Sequence, residues 1–91
     1  MTYLSILKQE YQLTMKLYNI LGHVLMTWKL FQKGYDAFKK LRDVSKMAHD
    51  LETSMYALKQ MGYCQYSLKD HKKAMKCYKC QLQIAWHLNH N

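Results

Sequence analysis

Apolar side chains recur at spacings of three and four residues along the first third of the chain, from Leu4 to Trp28. This spacing places them on one stripe of an α-helix. The stripe ends before Gly34, and we expect Gly34 to lie in a turn because glycine tolerates the backbone angles that end helices. A second stripe with the same spacing begins near Tyr35 and continues to Leu51. The pattern therefore predicts two helices before residue 52.

Polar segments divide the remaining chain into two further helices. The segment 49–54 is polar, and Thr53 or Ser54 is a plausible N-cap for a third helix that reaches about Leu68. Residues 69–71 form the next polar break, where Asp70 can cap a fourth helix. The chain has three Gly and no Pro, so it lacks the turn residues that short-stranded β folds need. We predict an all-α fold of four or five antiparallel helices.

A shift of thirty-seven residues aligns the chain with itself. It pairs Ala37 with Ala74, for example, and Leu51 with Leu88. We therefore predict two helix-turn-helix units, at residues 17–53 and 54–91, with Gly22 an out-of-register counterpart of Gly62. Residues 1–16 form either an N-terminal helix or the second helix of a partial preceding unit.

The second unit carries the residues of a family resemblance. Gly62-Tyr63, Ala74 twelve residues after Gly62, and Tyr78 in an A-x3-aromatic spacing resemble the tetratricopeptide repeat. The ends of the second helices, 47–51 and 84–88, resemble the longer repeat variant of kinesin light chains and polarity adaptors. The resemblance implies a short solenoid of two units with a close helix crossing at Gly62. Gln65 stands where the family has an aromatic residue and the closing Pro is missing, so a generic helical hairpin bundle is the alternative.

By this resemblance, the first helix of each unit lines a concave groove. A tyrosine offers a large amphipathic surface at small rotamer cost, and lysine adds a cation. We therefore expect an extended or helical peptide segment to bind there; the alternative is that Tyr63 or Tyr66 packs against a neighbouring unit. The predicted groove residues are Tyr56, Lys59, Tyr63 and Tyr66 from the second unit, with Asn19, Met26 and Lys29 from the first.

The charge of the chain is strongly positive, with 14 Lys and Arg against 6 Asp and Glu. Part of this excess recurs at helical spacing on the predicted second helices. Such a basic stripe suits an acidic protein partner, although a plain solvated face is the simpler interpretation. Nucleic acid is a less favoured partner, because all but one of the cations are Lys rather than the bidentate Arg. The stripe comprises Lys39, Arg42, Lys46, Lys72, Lys76 and Lys79.

No motif supports catalysis or a cofactor. Cys77 and Cys80 form a C-x-x-C followed by His87 and His90, but seven helical residues separate Cys80 from His87 by about 10 Å, too far for one zinc ion. The carboxylates sit mostly near helix ends, and His23 is expected to be structural rather than a general base. We predict neither a metal site nor an enzyme.

The sequence also predicts where the protein is located in the cell and whether two repeat units suffice for a stable fold. The first four residues lack the features of a secretory signal, and the apolar window 17–31 is shorter than the roughly 20 residues that span a bilayer. Three cysteines suit reduced thiols, so we expect an intracellular, cytoplasmic protein without membrane association. Two units are fewer than the roughly three that a stable stack needs. We predict a non-catalytic interaction or scaffold module, a subunit or fragment of a larger assembly whose open end a partner covers.

Overall fold

Four α-helices make up nearly all of residues 2–89, the part of the chain that the computed structural model describes. They are α1 (Tyr3–Thr27), α2 (Phe31–Met47), α3 (Leu51–Ser67) and α4 (His71–Asn89). Each helix packs against the next one along the chain, and short turns make these neighbours antiparallel. The predicted all-α class is confirmed. His90, one of the candidate zinc ligands, lies outside the described residues.

The three turns share one backbone geometry. Lys29, His49 and Lys69 have positive φ angles of 60°, 55° and 66°. After the first of them, the Leu30 amide donates to the Leu25 carbonyl at 2.8 Å. Equivalent bonds close the other two turns, which is the Schellman arrangement that satisfies the last carbonyls of a helix.

The expectation that Gly34 forms the first turn is wrong. Gly34 lies buried inside α2, and α1 already ends at Thr27. A lysine at a left-handed position made this turn hard to find, because glycine is the usual residue there.

The two hairpins repeat at forty residues rather than at thirty-seven. The turn residues Lys29 and Lys69 are related by this spacing, and so are Gly22 and Gly62. Gly22 is therefore in register with Gly62. A stripe with apolar residues every three or four positions still matches itself after a shift of about one turn, so periodicity alone left the register open.

Two glycines permit close contacts between helices. A Cβ atom on Gly22 would lie 2.6 Å from Cζ of Phe38, and one on Gly62 would lie 2.6 Å from Cε1 of Tyr78. In each hairpin the ring of the second helix thus rests on the backbone of the first. The close crossing expected at Gly62 is confirmed, and α1 and α2 cross in the same way.

The core lies along α2 and α3. Its buried residues are Phe38, Leu41, Ala57, Leu58, Met61, Cys64 and Cys77. Tyr78 is partly buried, whereas Leu82, one turn further along α4, is 68% exposed. Trp28, at the end of the first stripe, is also exposed because it caps α1 in the turn.

A buried polar contact joins α2 to α3. The hydroxyl groups of Ser45 and Ser54 lie 2.5 Å apart, and Ser45 also donates to the Arg42 carbonyl. Ser54 is therefore not the N-cap of α3. That position belongs to Asp50, which accepts from the Thr53 amide at 3.0 Å. Asp70 accepts from the Lys73 amide, as expected of the cap of α4.

Residues 3–16 belong to the same continuous helix as residues 17–27. This long α1 extends beyond the part that packs on α2, so its N-terminal half presents many exposed apolar side chains. Across residues 2–89, no helix has both the length and the apolar character required to cross a membrane.

The glycine contacts predict opposite effects of alanine at two positions. Gly22→Ala should lower the free energy of unfolding by about 1–2 kcal/mol, because the fully buried Phe38 ring cannot move away and overpacking outweighs the gain in helix propensity. Gly34→Ala is the control. Its Cβ would lie 3.2 Å from Cγ of the flexible Met26 chain and at ordinary contact distances of 3.6 and 3.7 Å from Cys64 Sγ and the Gly22 carbonyl oxygen, so stability should stay equal or rise. Urea unfolding measures both; equal losses would contradict this packing.

Candidate functional site

A hydrogen bond between side chains holds α1 and α3 side by side. Nε2 of His23 is bonded to the hydroxyl group of Tyr56. The His23 ring also meets the edge of Phe38 with centroids 5.3 Å apart. Burial raises the pKa of Tyr56, so its phenol stays neutral at physiological pH. His23 thus takes part in helix packing, and the gap between α1 and α3 has a defined width.

A cleft of about 710 Å³ lies between α1 and α3, toward the N-terminal end of α3. Leu41 of α2 lies at its base. We call it the α1–α3 cleft. Its volume falls within the range of about 300–1,000 Å³ that is usual for ligand sites. The residues that line it are Gln12, Met15, Lys16, Asn19, Leu41, Glu52, Thr53 and Tyr56.

Asn19 is the distinctive polar residue of the α1–α3 cleft. Its side-chain oxygen Oδ1 is buried and has no hydrogen-bond partner among the described residues. A buried acceptor left in this state costs about 1–3 kcal/mol. The same amide also carries two N–H donors, so it can pair with a group that offers both a donor and an acceptor. Asn19 is thus suited to hold a ligand with such a group.

A second cleft, of about 450 Å³, lies between α3 and α4 beside the C-terminal part of α1. We call it the α3–α4 cleft. It brings together three of the predicted groove residues, Met26, Lys59 and Tyr63, while two more, Asn19 and Tyr56, line the α1–α3 cleft. The complete lining is Met26, Lys59, Gln60, Tyr63, Tyr78 and Gln81.

The other predicted groove residues lie elsewhere. Lys29 is exposed in the turn between α1 and α2 and lines neither cleft. Tyr66 also lies outside both clefts, with its ring 5.4 Å from that of His71. Tyr63 is 49% exposed and contacts Phe31 of α2 with ring centroids 6.3 Å apart. Tyr63 thus combines packing with an accessible surface, so the two alternatives proposed for it are compatible.

Three residues of the α1 wall of the groove, Gln12, Met15 and Lys16, were not among the predicted residues. The sequence left open whether residues 1–16 continue the helix that carries Asn19. The spacing of these three residues nevertheless indicated that they share a helical face with Asn19, since they precede it by three, four and seven residues. Glu52 and Thr53 were missed because they were assigned to the preceding turn, whereas α3 begins at Leu51.

The lysines of α4 form a compact basic surface. Lys72, Lys76 and Lys79 line a shallow hollow of about 380 Å³ together with His71 and Met75. We call it the α4 basic hollow. Within residues 2–89 the only ion pair joins Lys73 to Asp70 at 3.9 Å, so no lysine of the hollow is paired with a carboxylate.

The predicted basic residues of α2 differ in their exposure to solvent. Lys39 and Lys46 are exposed, whereas Arg42 is partly buried. Burial raises the pKa of Cys77, and the positive charge of Arg42 opposes this rise. Arg42 of α2 therefore lies close enough to α4 to act on Cys77, and the exposed basic residues of the predicted stripe are lysines.

The cysteines do not form a metal site in the described part of the chain. No three His, Cys, Asp or Glu side chains of residues 2–89 come together in a way that could hold an ion. Burial raises the pKa of the Cys64 thiol to about 11, and the nearby Cys77 adds to the effect. A protonated buried thiol is a poor nucleophile and a poor metal ligand. Cys64 and Cys77 are therefore core residues.

The raised pKa of Cys64 predicts a loss of stability at alkaline pH. The thiol ionises near 9.0 in the unfolded chain but near 11 in the folded protein, so its contribution is complete below pH 9 and declines between these values. The slope approaches about 1.4 kcal/mol per pH unit. Urea unfolding at about pH 8 and about pH 10.5 measures it. Cys64→Ala should show a smaller decrease; an unchanged decrease would assign the effect to other groups.

Comparisons with known proteins add no relative to this picture. No family model matches the chain, and neither a curated protein nor a solved structure does. What the protein does is therefore inferred from its own residues and their arrangement.

Proposed function

We propose that the chain is a non-catalytic protein–protein interaction module that binds a peptide segment of a partner protein. The peptide lies in the groove formed by the α1–α3 cleft and the α3–α4 cleft. The observation that carries this proposal is the buried, unpartnered Oδ1 atom of Asn19 in a cleft with an apolar base at Leu41. Rotation of the Asn19 side chain turns this atom toward the cleft, where a ligand that donates a hydrogen bond to it removes an energetic penalty of the free protein.

An extended peptide matches the chemistry of Asn19. Each peptide group carries one N–H donor and one C=O acceptor, and a side-chain amide can pair with both. Lys59 lies forty residues after Asn19, at the equivalent position of the second hairpin, and lines the α3–α4 cleft. One amide and one cation thus occupy equivalent places along the groove. Lys59 favours a peptide that carries an acidic side chain near this point.

The tyrosines supply the apolar part of the recognition. Tyr56 lines the α1–α3 cleft and Tyr63 lines the α3–α4 cleft. The Tyr56 hydroxyl group stays bonded to His23 and that of Tyr63 can remain solvated, while both rings cover apolar peptide side chains. Aromatic residues of this kind often carry a large part of the binding energy at protein interfaces. The two clefts together therefore form a binding surface with alternating polar and aromatic positions.

The architecture supports a tetratricopeptide-like module. In the second hairpin, Gly62, Ala74 and Tyr78 carry the spacing that resembles this family. In the first hairpin, Gly22, Gly34 and Phe38 have the same spacing. Both sets fall at the crossings of their hairpins, where the small residues allow close approach. Together with the free thiols, this resemblance favours an intracellular subunit of a larger assembly.

The peptide proposal predicts that Asn19→Ala weakens binding about tenfold, the effect of losing one or two hydrogen bonds. The probe is a peptide of about twelve residues selected from a random displayed library on the wild-type chain, with affinity measured by fluorescence anisotropy. Stability should not fall, because the variant removes an unpaired buried group.

The matched control for this experiment is Gln9→Ala, which removes an exposed amide of α1 outside both clefts. It should leave the affinity unchanged. Tyr63→Ala should weaken binding in the same way as Asn19→Ala. The proposal is wrong if the library yields no binder, or if the selected peptides bind equally well to wild type and to both groove variants.

We propose a second contact, to an acidic protein surface, at the α4 basic hollow. The supporting observation is that three lysines surround the exposed Met75 without a neutralising carboxylate. An acidic segment with an apolar side chain fits such a surface, with the anions on the lysines and the apolar group on Met75.

The α4 contact predicts steep salt dependence. Binding of a glutamate- and leucine-rich peptide should fall several-fold between about 50 and 200 mM salt, because exposed charges are screened. Lys72→Glu with Lys76→Glu should abolish it, whereas Lys8→Glu with Lys33→Glu, an equal change in charge elsewhere, should weaken it only slightly. Tighter binding of a thymidine oligonucleotide than of the peptide would instead favour a nucleic-acid partner.

A further inference from the structure

Helix α3 presents a row of charged and aromatic side chains to the groove. The members of this row follow one another at intervals of four, three and four residues. At about 100° per residue, these intervals place them within roughly 60° of one another around the helix. Two of them line the α1–α3 cleft and two line the α3–α4 cleft. We call this set the α3 row: Glu52, Tyr56, Lys59 and Tyr63.

The two charges of the α3 row have opposite signs, and Glu52 is the acidic one. Among the carboxylates of residues 2–89, only that of Glu52 lines either cleft. It forms no ion pair within this part of the chain. The start of α3 does not depend on it, because Asp50 already caps that helix. The Glu52 carboxylate is therefore available to a ligand.

Lys16 is the cation of the same cleft, but it lies on the opposite wall. It belongs to α1, and it also lines a separate hollow of about 270 Å³ that is formed by α1 residues alone. Lys16 is exposed and forms no ion pair with Glu52. Lys16 therefore lies at the outer edge of the α1–α3 cleft, where its flexible stem can turn the ammonium group away from a second cation.

The surface beside Glu52 suits the stem of a basic side chain. Tyr56 lies one turn after Glu52 on α3. Its ring is held by the hydrogen bond to His23 and by an edge contact with Phe38, with ring centroids 6.5 Å apart. Leu41 lies at the base of the cleft. An arginine side chain combines an aliphatic stem with a planar cation that stacks on aromatic rings and binds a carboxylate through two N–H groups. The cleft thus offers a contact to each part of arginine.

We propose that Glu52 is a specificity-determining residue of the groove and selects a basic side chain, arginine more strongly than lysine, in the bound peptide. This selection rests on the proposed peptide-binding function. Asn19 pairs with the peptide backbone, Glu52 binds the cation, and the Tyr56 ring covers the stem. Lysine binds more weakly than arginine because its ammonium group lacks the planar fork that matches a carboxylate.

The opposite charges of the α3 row also set the direction of the peptide. Glu52 and Lys59 are seven residues apart, about 10 Å along α3 at 1.5 Å per residue. In an extended peptide, side chains on one face are about 7 Å apart at a spacing of two residues and about 13 Å apart at a spacing of four. The flexible stems of Glu52 and Lys59 span the difference in either case. The peptide therefore carries its basic and acidic residues two or four positions apart, and the reversed orientation brings like charges together.

A double-mutant cycle between the groove and the peptide tests the proposal. The probes are peptides of about twelve residues selected from a random displayed library on the wild-type chain, and fluorescence anisotropy measures their affinity. Changing the basic residue of a selected peptide to glutamine should weaken binding to the wild type about fivefold, the upper end for an accessible ion pair. The same change should have less than about a twofold effect on Glu52→Gln, because the pair is already broken.

Glu10→Gln is the matched control for Glu52→Gln. Glu10 is an exposed glutamate of α1 outside both clefts, so this variant should show the full effect of the peptide change. Lys16→Gln should show it as well. This variant should also bind the basic peptide slightly more tightly than the wild type does, because one repulsive charge is removed.

A reversal of charge tests the selection without relying on a loss of binding. Repeating the library selection on Glu52→Lys should yield peptides with an acidic residue in place of the basic one, whereas Glu10→Lys should yield the same peptides as the wild type. Circular dichroism checks that every variant keeps its helices. Peptides that depend on Asn19 and Tyr63 but keep their preference for a basic residue in Glu52→Gln, or show no such preference, overturn the role of Glu52 alone. A library without binders overturns the proposed peptide binding and this role with it.

Discussion

The contact between Gly22 and the ring of Phe38 is the constraint on which the rest of the structure depends. It brings the backbone of α1 onto a fully buried side chain of α2. The same ring meets His23 and Tyr56, so the crossing of α1 and α2 also sets the position of α3. Gly62 and Tyr78 repeat the contact in the second hairpin. The Phe38 ring occupies the space where a Cβ atom of residue 22 would lie. The spacing between α1 and α3, and with it the width of the groove, follows from this contact.

The surfaces of α1 illustrate how one helix can serve packing and recognition together. The side toward α2 supplies the core, and the side toward α3 supplies Asn19 to the cleft. An unpaired buried amide oxygen is unfavourable in the isolated chain. This cost disappears when a bound molecule donates a hydrogen bond to it. The feature that lowers the stability of the free chain is therefore the one that defines its proposed peptide contact.

The sequence predicted part of the groove for a clear physical reason. Lys59 and Tyr63 lie together because side chains four residues apart share one helical face, wherever the helix begins. Met26 of α1 lines the same cleft. Lys29 did not join them, because its place depends on where α1 ends. Helix ends are decided by a few hydrogen bonds and one left-handed residue, and lysine is not a usual residue for that position. Of the predicted α3 residues, Tyr56, Lys59 and Tyr63 therefore line a cleft, whereas Tyr66 does not, and neither does Lys29 at the end of α1.

By itself, the sequence determined the helical class, the cap at Asp70 and the concentration of positive charge on α2 and α4, since these depend on local spacing and composition. The tertiary structure decided the register of the repeat. Apolar stripes match at thirty-seven and at forty residues alike, but only a shift of forty superposes Gly22 on Gly62 together with the rings of Phe38 and Tyr78 that contact them. The tertiary structure also decided which apolar residues are buried. The hydrophobic effect favours burial of every leucine, and only the packed helices show that Leu41 is buried while Leu17 and Leu82 remain at the surface.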